Sequence, residues 1–523
     1  MAITAINLSG LDGSNGFRLD GVAERDYSGR SVSNAGDVNG DGFDDVIVSA
    51  VGSDPNGDRS GSSYVVFGKA AGFAATLNLS SLNGSNGFRL DGTAAYDQSG
   101  YSVSSAGDVN GDGFDDLLVS APFAVPNGSN SGSSYVVFGK GAGFSAALDL
   151  SSLNGSNGFR VDGAAAYDQS GSSVSSAGDV NGDGFDDVIV GAFGADPNGN
   201  FSGSSYVVFG QAYGFAATLD LSSIDGNNGF RLDGASTDDS SGTSVSSAGD
   251  VNDDGFDDVI VGAFGADPNG ESSGSSYVVF GQASAFAATL DLSSLDGNHG
   301  FRLDGAAAYD ISGTSVSSAG DVNGDGFADV VVGAYNADLN GDLSGSSYVI
   351  FGRSDFGGGN VIAGTPGDDI LKGTSAAEIF EAGEGNDRMI GRGGADVFHG
   401  DAGDDYIQVA DLGFASVDGG SGDDVLHTDG KDLNLDLANF SDKIHGIETI
   451  CIYGRGDNTL TLTAADLLNL SDTTNTLKVH GNAGDRIVLD NDWVDGGIRG
   501  FYHTYTQDDA VLLVGMNMAT EFI

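Results

Sequence analysis

The sequence predicts an all-β protein: a five-bladed β-propeller, then a parallel β-roll, then a small β-rich C-terminal module. Three observations carry this. The hexapeptide D-V-N-[GD]-D-G begins at Asp37, Asp108, Asp179, Asp250 and Asp321, in equal steps of 71, and a long fixed period means one supersecondary unit copied along the chain. Between the hexapeptides lie short runs rich in Val, Ile, Tyr and Phe, bounded by Gly, Asn, Asp and Ser, which is the pattern of strands and turns. Near Gly364 a second, nine-residue period rich in Gly and Asp takes over. The expected boundaries are 1–355, 356–430 and 431–523.

Each long unit reads as four strands, in the second copy Tyr101–Gly107, Asp115–Ala121, Ser133–Gly139 and Gly158–Asp162. Gly and β-branched residues at most periodic positions argue against helix. A further piece, Ala147–Leu153, predicts a short hairpin before the fourth strand. Four antiparallel strands copied radially are propeller blades. The motif GFRLDG stands at Gly16, before the first complete unit, and recurs at Gly87, Gly229 and Gly300, with GFRVDG at Gly158. The last unit reaches Tyr348–Gly352 without such a strand. The N-terminal copy is therefore expected to join the last blade and close the ring, leaving no long open edge. The alternative is an open array, or a ring shared between chains.

Every long unit carries D-x-N-x-D-G-x-x-D. The five sets are Asp37, Asn39, Asp41, Asp45; Asp108, Asn110, Asp112, Asp116; Asp179, Asn181, Asp183, Asp187; Asp250, Asn252, Asp254, Asp258; and Asp321, Asn323, Asp325, Asp329. Alternating oxygen-bearing side chains on a tight loop converge on one point. The glycine gives the sharp turn, and the residue after it can offer its carbonyl: Phe43, Phe114, Phe185, Phe256 or Phe327. Hard oxygen donors in this number suit Ca²⁺ better than Mg²⁺, which wants a strict octahedron. An EF-hand is excluded, because its twelfth position needs a bidentate Glu and here holds Val48, Val119, Val190, Val261 or Val332. The competing reading is an Asp/Asn/Gly turn held by its own side-chain hydrogen bonds. Five copies that keep all three aspartates favour calcium.

These residues resemble the FG-GAP repeats of the integrin α-subunit β-propeller over residues 1–355. The resemblance implies calcium in these loops, between the first two strands of each blade. The chain departs from the family's naming motif: FG is SG at Ser28-Gly29 and Ser99-Gly100, and GAP is GAF at Gly191-Ala192-Phe193 or GAY at Gly333-Ala334-Tyr335. Integrins have seven blades, so five weakens any transfer of their ligand-binding face. Asp253 replaces the usual Gly of its loop, and Ala328 replaces an Asp beside the last ligand.

The nine-residue period reads GTPGDDILK from Gly364, GTSAAEIFE from Gly373, AGEGNDRMI from Ala382, GRGGADVFH from Gly391 and GDAGDDYIQ from Gly400, resuming as GGSGDDVLH at Gly419. Acidic residues fill the sixth position, at Asp369, Glu378, Asp387, Asp396, Asp405 and Asp424, and apolar ones the eighth, at Leu371, Phe380, Met389, Phe398, Ile407 and Leu426. This resembles the RTX repeat, which implies a parallel β-roll whose glycine turns bind calcium through Asp369, Asp387, Asp396, Asp405 and Asp424 and through backbone carbonyls. The eighth residues would stack as a thin core. The alternative is a flexible linker.

Composition bounds the function. With 20 basic against 75 acidic residues and a net charge of −55, nucleic acid and anionic lipid are poor partners, and bound divalent cations are the natural offset. The single Cys451 allows no intrachain disulfide. There is no N-terminal signal pattern and no apolar run of membrane-spanning length. The run from Gly446 to Leu489 resembles C-terminal modules of bacterial surface proteins exported by type I secretion, and the ending Glu521-Phe522-Ile523 resembles an uncleaved export signal of that route. The six histidines are scattered, and no H-E-x-x-H, GxSxG or P-loop occurs, so no enzyme is expected. Arg455-Gly456-Asp457 and the repeated Tyr64, Tyr135, Tyr206, Tyr277 and Tyr348 carry little weight as ligand readers. The expectation is an extracellular, calcium-stabilised bacterial surface or matrix protein. Its partners would be an extracellular ligand, a neighbouring surface protein or glycan, and the type I secretion apparatus, with self-assembly open. The alternatives are a subunit of a calcium-dependent layer or filament, and a non-catalytic support of a secreted hydrolase.

Overall fold

The run Asp187-Val188-Ile189-Val190-Gly191-Ala192 is apolar on both faces, so as a strand it must be covered on both sides. It is: Asp187–Ala192 is buried along its whole length, the signature of a strand inside stacked sheets. A computed structural model describes residues 6–523 apart from 142, 213, 284, 285, 340, 342, 355, 357–359, 442, 472 and 473. The expected boundary at 355 falls outside the described residues; the chain divides into two compact units, Met1–Gly357 and Gly358–Ile523.

In the first unit each FG-GAP-like repeat builds one sheet. The third is typical: Ser173–Gly178, Asp187–Ala192, Ser204–Val208 and Gly229–Asp233 run antiparallel in sequence order. A bulge between Ser176 and Gly178 turns the chain into the aspartate loop, as bulges do at sheet rims. A fifth strand, Thr289–Asp291, adds in parallel to Gly229–Asp233. The piece read as a hairpin behaves the same way. Ala147–Asp149 pairs in parallel with Gly87–Asp91 of the preceding blade, Leu148 beside Leu90, so it ties neighbouring blades together rather than folding back on its own.

The N-terminal motif copy does not close the ring. Arg18–Asp20 pairs in parallel with Thr76–Asn78, and the last blade has three strands, Ser315–Gly320, Asp329–Ala334 and Ser346–Ile350. Arg18–Asp20 takes beside Thr76–Asn78 the place that Gly87–Asp91 takes beside Ala147–Asp149. This short-loop pairing uses one edge of the strand, and the edge that Gly87–Asp91 gives to Ser62–Val66 is left unpaired among the described residues.

The blades pack face to face through the clusters between them. Ala35, Val38, Ile47, Val65, Phe88 and Leu90 of the first meet Val103, Leu117, Val119 and Tyr135 of the second, and the same arrangement recurs at the later junctions.

The second unit is the β-roll. One sheet takes alternate turns, Glu378–Glu381, Val397–His399 and Ser416–Asp418, in parallel. The other takes Ile370–Lys372, Arg388–Ile390, Tyr406–Val409 and Val425–Thr428. Leu371, Met389, Ile407 and Leu426 stack in register, and the Phe380 and Phe398 rings stack 4.7 Å apart. All six eighth-position residues are buried.

The stretch from residue 431, expected as a separate module, falls within the same compact unit as the roll. The second sheet runs on through Thr449–Cys451, Thr476–His480 and Ala510–Gly515. A further parallel sheet of Asn434–Asp436, Thr459–Thr461, Arg486–Leu489 and Ala519–Phe522 flanks it, and one hydrophobic core from Leu371 to Val514 spans both stretches. The helix Ala464–Leu470 opens on a Thr463–Asp466 capping box and buries Leu467 and Leu470. Among the described residues no helix is long and apolar enough to cross a membrane.

Candidate calcium sites

The loop of each blade is wound around its first aspartate. Asp37 Oδ1 accepts from the Gly40 and Asp41 N–H groups at 2.8 and 3.1 Å, and Oδ2 from Gly42 N–H at 2.8 Å. Asp41 Oδ1 accepts from Phe43 N–H at 3.1 Å. Gly42 has φ 86°, a conformation glycine adopts without strain. Asp253 holds a left-handed φ of 56° where the other loops have glycine, which aspartate tolerates better than most residues.

The ninth residue of each loop sits at the base. Asp45, Asp116, Asp187, Asp258 and Asp329 are all buried. Asp187 accepts from Val180 N–H at 3.1 Å and Gly210 N–H at 2.9 Å, joining the loop to the third strand. Burial pushes the Asp116, Asp187 and Asp258 carboxyls up to about 8 and Asp45 up to about 7, and the neighbouring loop aspartates add repulsion. Such groups take their charged form readily only when a cation supplies the missing solvation. Among the described residues no three His, Cys, Asp or Glu side chains gather tightly enough to hold an ion unaided. In the first loop the Asn39 side-chain amide donates to Asp45 Oδ2 at 3.4 Å, and in the third Asn181 donates to Asp183 at 3.1 Å. The turn reading is met in this geometry, with Asp37 shaping the turn and Asp45 setting a buried carboxyl at its base.

The roll shows its need more directly. The sixth-position acids form a ladder in which each backbone N–H donates to the carboxylate one full turn ahead. Asp369 N–H bonds Asp387, Asp387 N–H bonds Asp405 and Asp405 N–H bonds Asp424, each at 2.7 Å. On the opposite side Glu378 N–H bonds Asp396 at 3.0 Å. The other oxygens of Glu378, Asp387, Asp405 and Asp424 are buried without a hydrogen-bond partner. Orphaned anionic oxygens inside a protein demand an explanation, and a bound dication supplies one. Burial pushes Asp396 and Asp405 up to about 6 and Asp424 up to about 7. The more exposed Asp369 opens the ladder at its rim and is held low by Thr365.

Sequence reasoning missed how far the ladder runs. Asp424 N–H continues it to Glu448, and Asn458 N–H bonds Asp485, each at 2.8 Å. The signal was faint because these steps break the spacing of the nonapeptide. Asp44 and its copies stand next to the Asp45-type residues in sequence. The structure separates them: Asp115, Asp186 and Asp257 reach back to the Asp37, Asp108 and Asp179 N–H groups of the preceding blade at 2.6, 2.7 and 2.9 Å. Cys451 is buried, and burial pushes its thiol up to about 11, so it is a poor nucleophile.

Comparison with known proteins agrees with this anatomy. The FG-GAP repeat model matches residues 28–66, 99–137, 170–208, 241–279 and 312–350. The model of the RTX calcium-binding nonapeptide repeat matches 355–388 and 372–407. Integrin alpha-V of Gallus gallus is 32% identical over 245 residues, 46% of this chain and 20% of the relative. Integrin alpha-IIb of Homo sapiens is 32% identical over 185 residues, 34% and 16% respectively, and integrin alpha-PS5 of Drosophila melanogaster 34% over 177, 33% and 15%. The chain therefore spans a fifth or less of the length of these relatives. Both repeat types imply bound Ca²⁺.

Proposed function

From a chain built of five FG-GAP repeats and an RTX β-roll, we propose an extracellular, calcium-dependent adhesion or ligand-binding protein of a bacterial surface or matrix. The observation that supports it best is the fivefold placement of a buried aspartate, Asp45 and its equivalents, under a loop of further carboxylates. In this reading Asp37, Asn39, Asp41, the Phe43 carbonyl and Asp45, with their copies, hold one Ca²⁺ per blade, and Asp369, Asp387, Asp396, Asp405 and Asp424 hold ions along the roll. Calcium then acts as a folding switch. A net charge of −55 weakens the folded state when metal is absent, as suits passage through a type I secretion apparatus. Each site binding only the folded state adds about 2.7 kcal/mol at a hundredfold excess of ion over Kd. The propeller presents the ligand-binding surface to a neighbouring protein or glycan, and the repeats present are those of binding modules. The test is adhesion of labelled full-length protein to bacterial cells and to a glycan array, with Ca²⁺ and with chelator. Retention in Ca²⁺ that chelator abolishes is expected; equal retention in both overturns the reading.

A further inference from the structure

The first and last blades each leave bare a face that the inner blades cover, and the two bare faces are complementary. Val103, Val174, Val245 and Val316 are each about 5% exposed because the preceding blade covers them, whereas their first-blade equivalent Val32 is 64% exposed. On the opposite face Val65, Val136, Val207 and Val278 are fully buried by the following blade, and their last-blade equivalent Val349 is 47% exposed. Val322 is likewise exposed where Val38, Val109, Val180 and Val251 are buried.

The polar fittings repeat in the same way. Carbon built on Gly36, Gly107 or Gly178 would meet the side chain of Asp115, Asp186 or Asp257 of the next blade, and on Gly40, Gly111 or Gly182 the ring of Phe114, Phe185 or Phe256. Around the last blade's Gly320 and Gly324 the space is open to 4 Å. The side chains that would fill it, Asp44 and Phe43, stand exposed on the first blade. The strands are also complementary. Among the described residues Ser346–Ile350 ends a three-stranded sheet without the fourth strand of the other blades, and Arg18–Asp20 is such a fourth strand paired there only with Thr76–Asn78. In complete blades Ser62 lies opposite Asp91 and Tyr64 opposite Arg89. The same register sets Ser346 opposite Asp20 and Tyr348 opposite Arg18.

We propose that the last blade of one chain docks on the first blade of a second copy. Ser346–Ile350 pairs there with the partner copy's N-terminal strand, and the junction reproduces the four inside the chain. Within one chain the two faces do not meet, as the exposure of Val32 and Val349 shows, so a second copy is the occupant whose shape and hydrogen-bonding groups are already matched to both. The contact is heterologous, and such contacts propagate into rings or open filaments. The hydrogen bond accepted by an Asp115-type carboxylate is dispensable, since Ala328 replaces that aspartate at the junction of the fourth and fifth blades. The apolar face and strand pairing therefore carry the association. The inference rests on the calcium-loaded propeller of the proposed function but not on its ligand.

The test is light scattering on full-length protein in excess Ca²⁺ over a concentration series, with the variants Val32→Asp and Val349→Asp. Both positions are exposed, so the variants fold, which circular dichroism and Ca²⁺ uptake verify. Wild type is expected to grow in steps of whole chains. Each variant alone is expected to remain a monomer, and an equimolar mixture to form one-to-one dimers, because each variant keeps the face the other has lost. A wild type monomeric at every concentration, as when the ring closes within one chain, overturns the proposal. So do variants that assemble like wild type, or a mixture that stays monomeric. Normal Ca²⁺ uptake alongside such a result leaves the proposed function standing.

Discussion

Replacing Asp187 by Asn should change sign with calcium. Asp187 is fully buried, accepts from Val180 and Gly210 N–H groups, and burial raises its carboxyl from 3.8 to about 8. The metal-free folded state therefore holds this proton more tightly than the unfolded chain. Its contribution to stability is present below the ordinary value and is lost as pH rises through about 8. At about 1.4 kcal/mol per pKa unit the whole lift is on the order of 5 kcal/mol, an upper bound. Asparagine never ionises, so it escapes that loss. It gives up one of the two backbone hydrogen bonds, about 1–3 kcal/mol. Above pH 8 in chelator the gain offsets or exceeds the cost. In saturating Ca²⁺ the ion already stabilises the carboxylate, so only the cost and a weakened site remain. Thermal unfolding of Asp187→Asn and wild type in both conditions is the assay. The variant should melt several degrees lower in Ca²⁺ and level with or above wild type in chelator. An equal drop in both would show that Asp187 serves only the turn.

Further outcomes follow from the same groups. Without metal, stability should fall as pH rises from about 4 toward 8, because Asp45, Asp116, Asp187 and Asp258 all have raised folded values. Adding Ca²⁺ near neutral pH should release protons, measurable in weak buffer, and uptake without release contradicts this. In the roll, Asp405→Ala strands the buried Asp387 N–H, at about 1–3 kcal/mol, whereas Asp369 lies at the ladder's rim. Folding followed by circular dichroism should need more Ca²⁺ for Asp405→Ala and scarcely more for Asp369→Ala. The reverse order would move the binding turns to the roll's start.

Much of this architecture was legible in the sequence because it is periodic. Equal steps between loops fixed the blades, and the strand Gly158–Asp162 stands where the sequence places it. The apolar eighth positions of the roll marked its core, since every one points inward. What the sequence hid is which copy pairs with which. GFRLDG at Gly16 has two edges to pair, and the motif does not declare that one takes Thr76–Asn78 while the other stays unpaired among the described residues. Ala147–Asp149 is too short to declare whether it turns back on its own blade or crosses to the previous one. The continuation of the roll past Lys431 was hidden because the glycine turns that announce it give way to Glu448, Asn458 and Asp485 at irregular spacing. The division of labour between Asp44-type and Asp45-type residues is likewise invisible in a dipeptide, since one reaches the preceding blade and the other its own loop.

The direct test of calcium as the agent that holds this acidic chain folded is a count of ions bound. Metal-stripped full-length protein is equilibrated with Ca²⁺, freed of excess, and assayed by atomic emission while circular dichroism follows its β structure. At least one ion for each of the five FG-GAP loops, with further ions in the roll and a gain of β structure on loading, is the result expected. A chain that folds to the same extent while carrying no calcium would contradict the account.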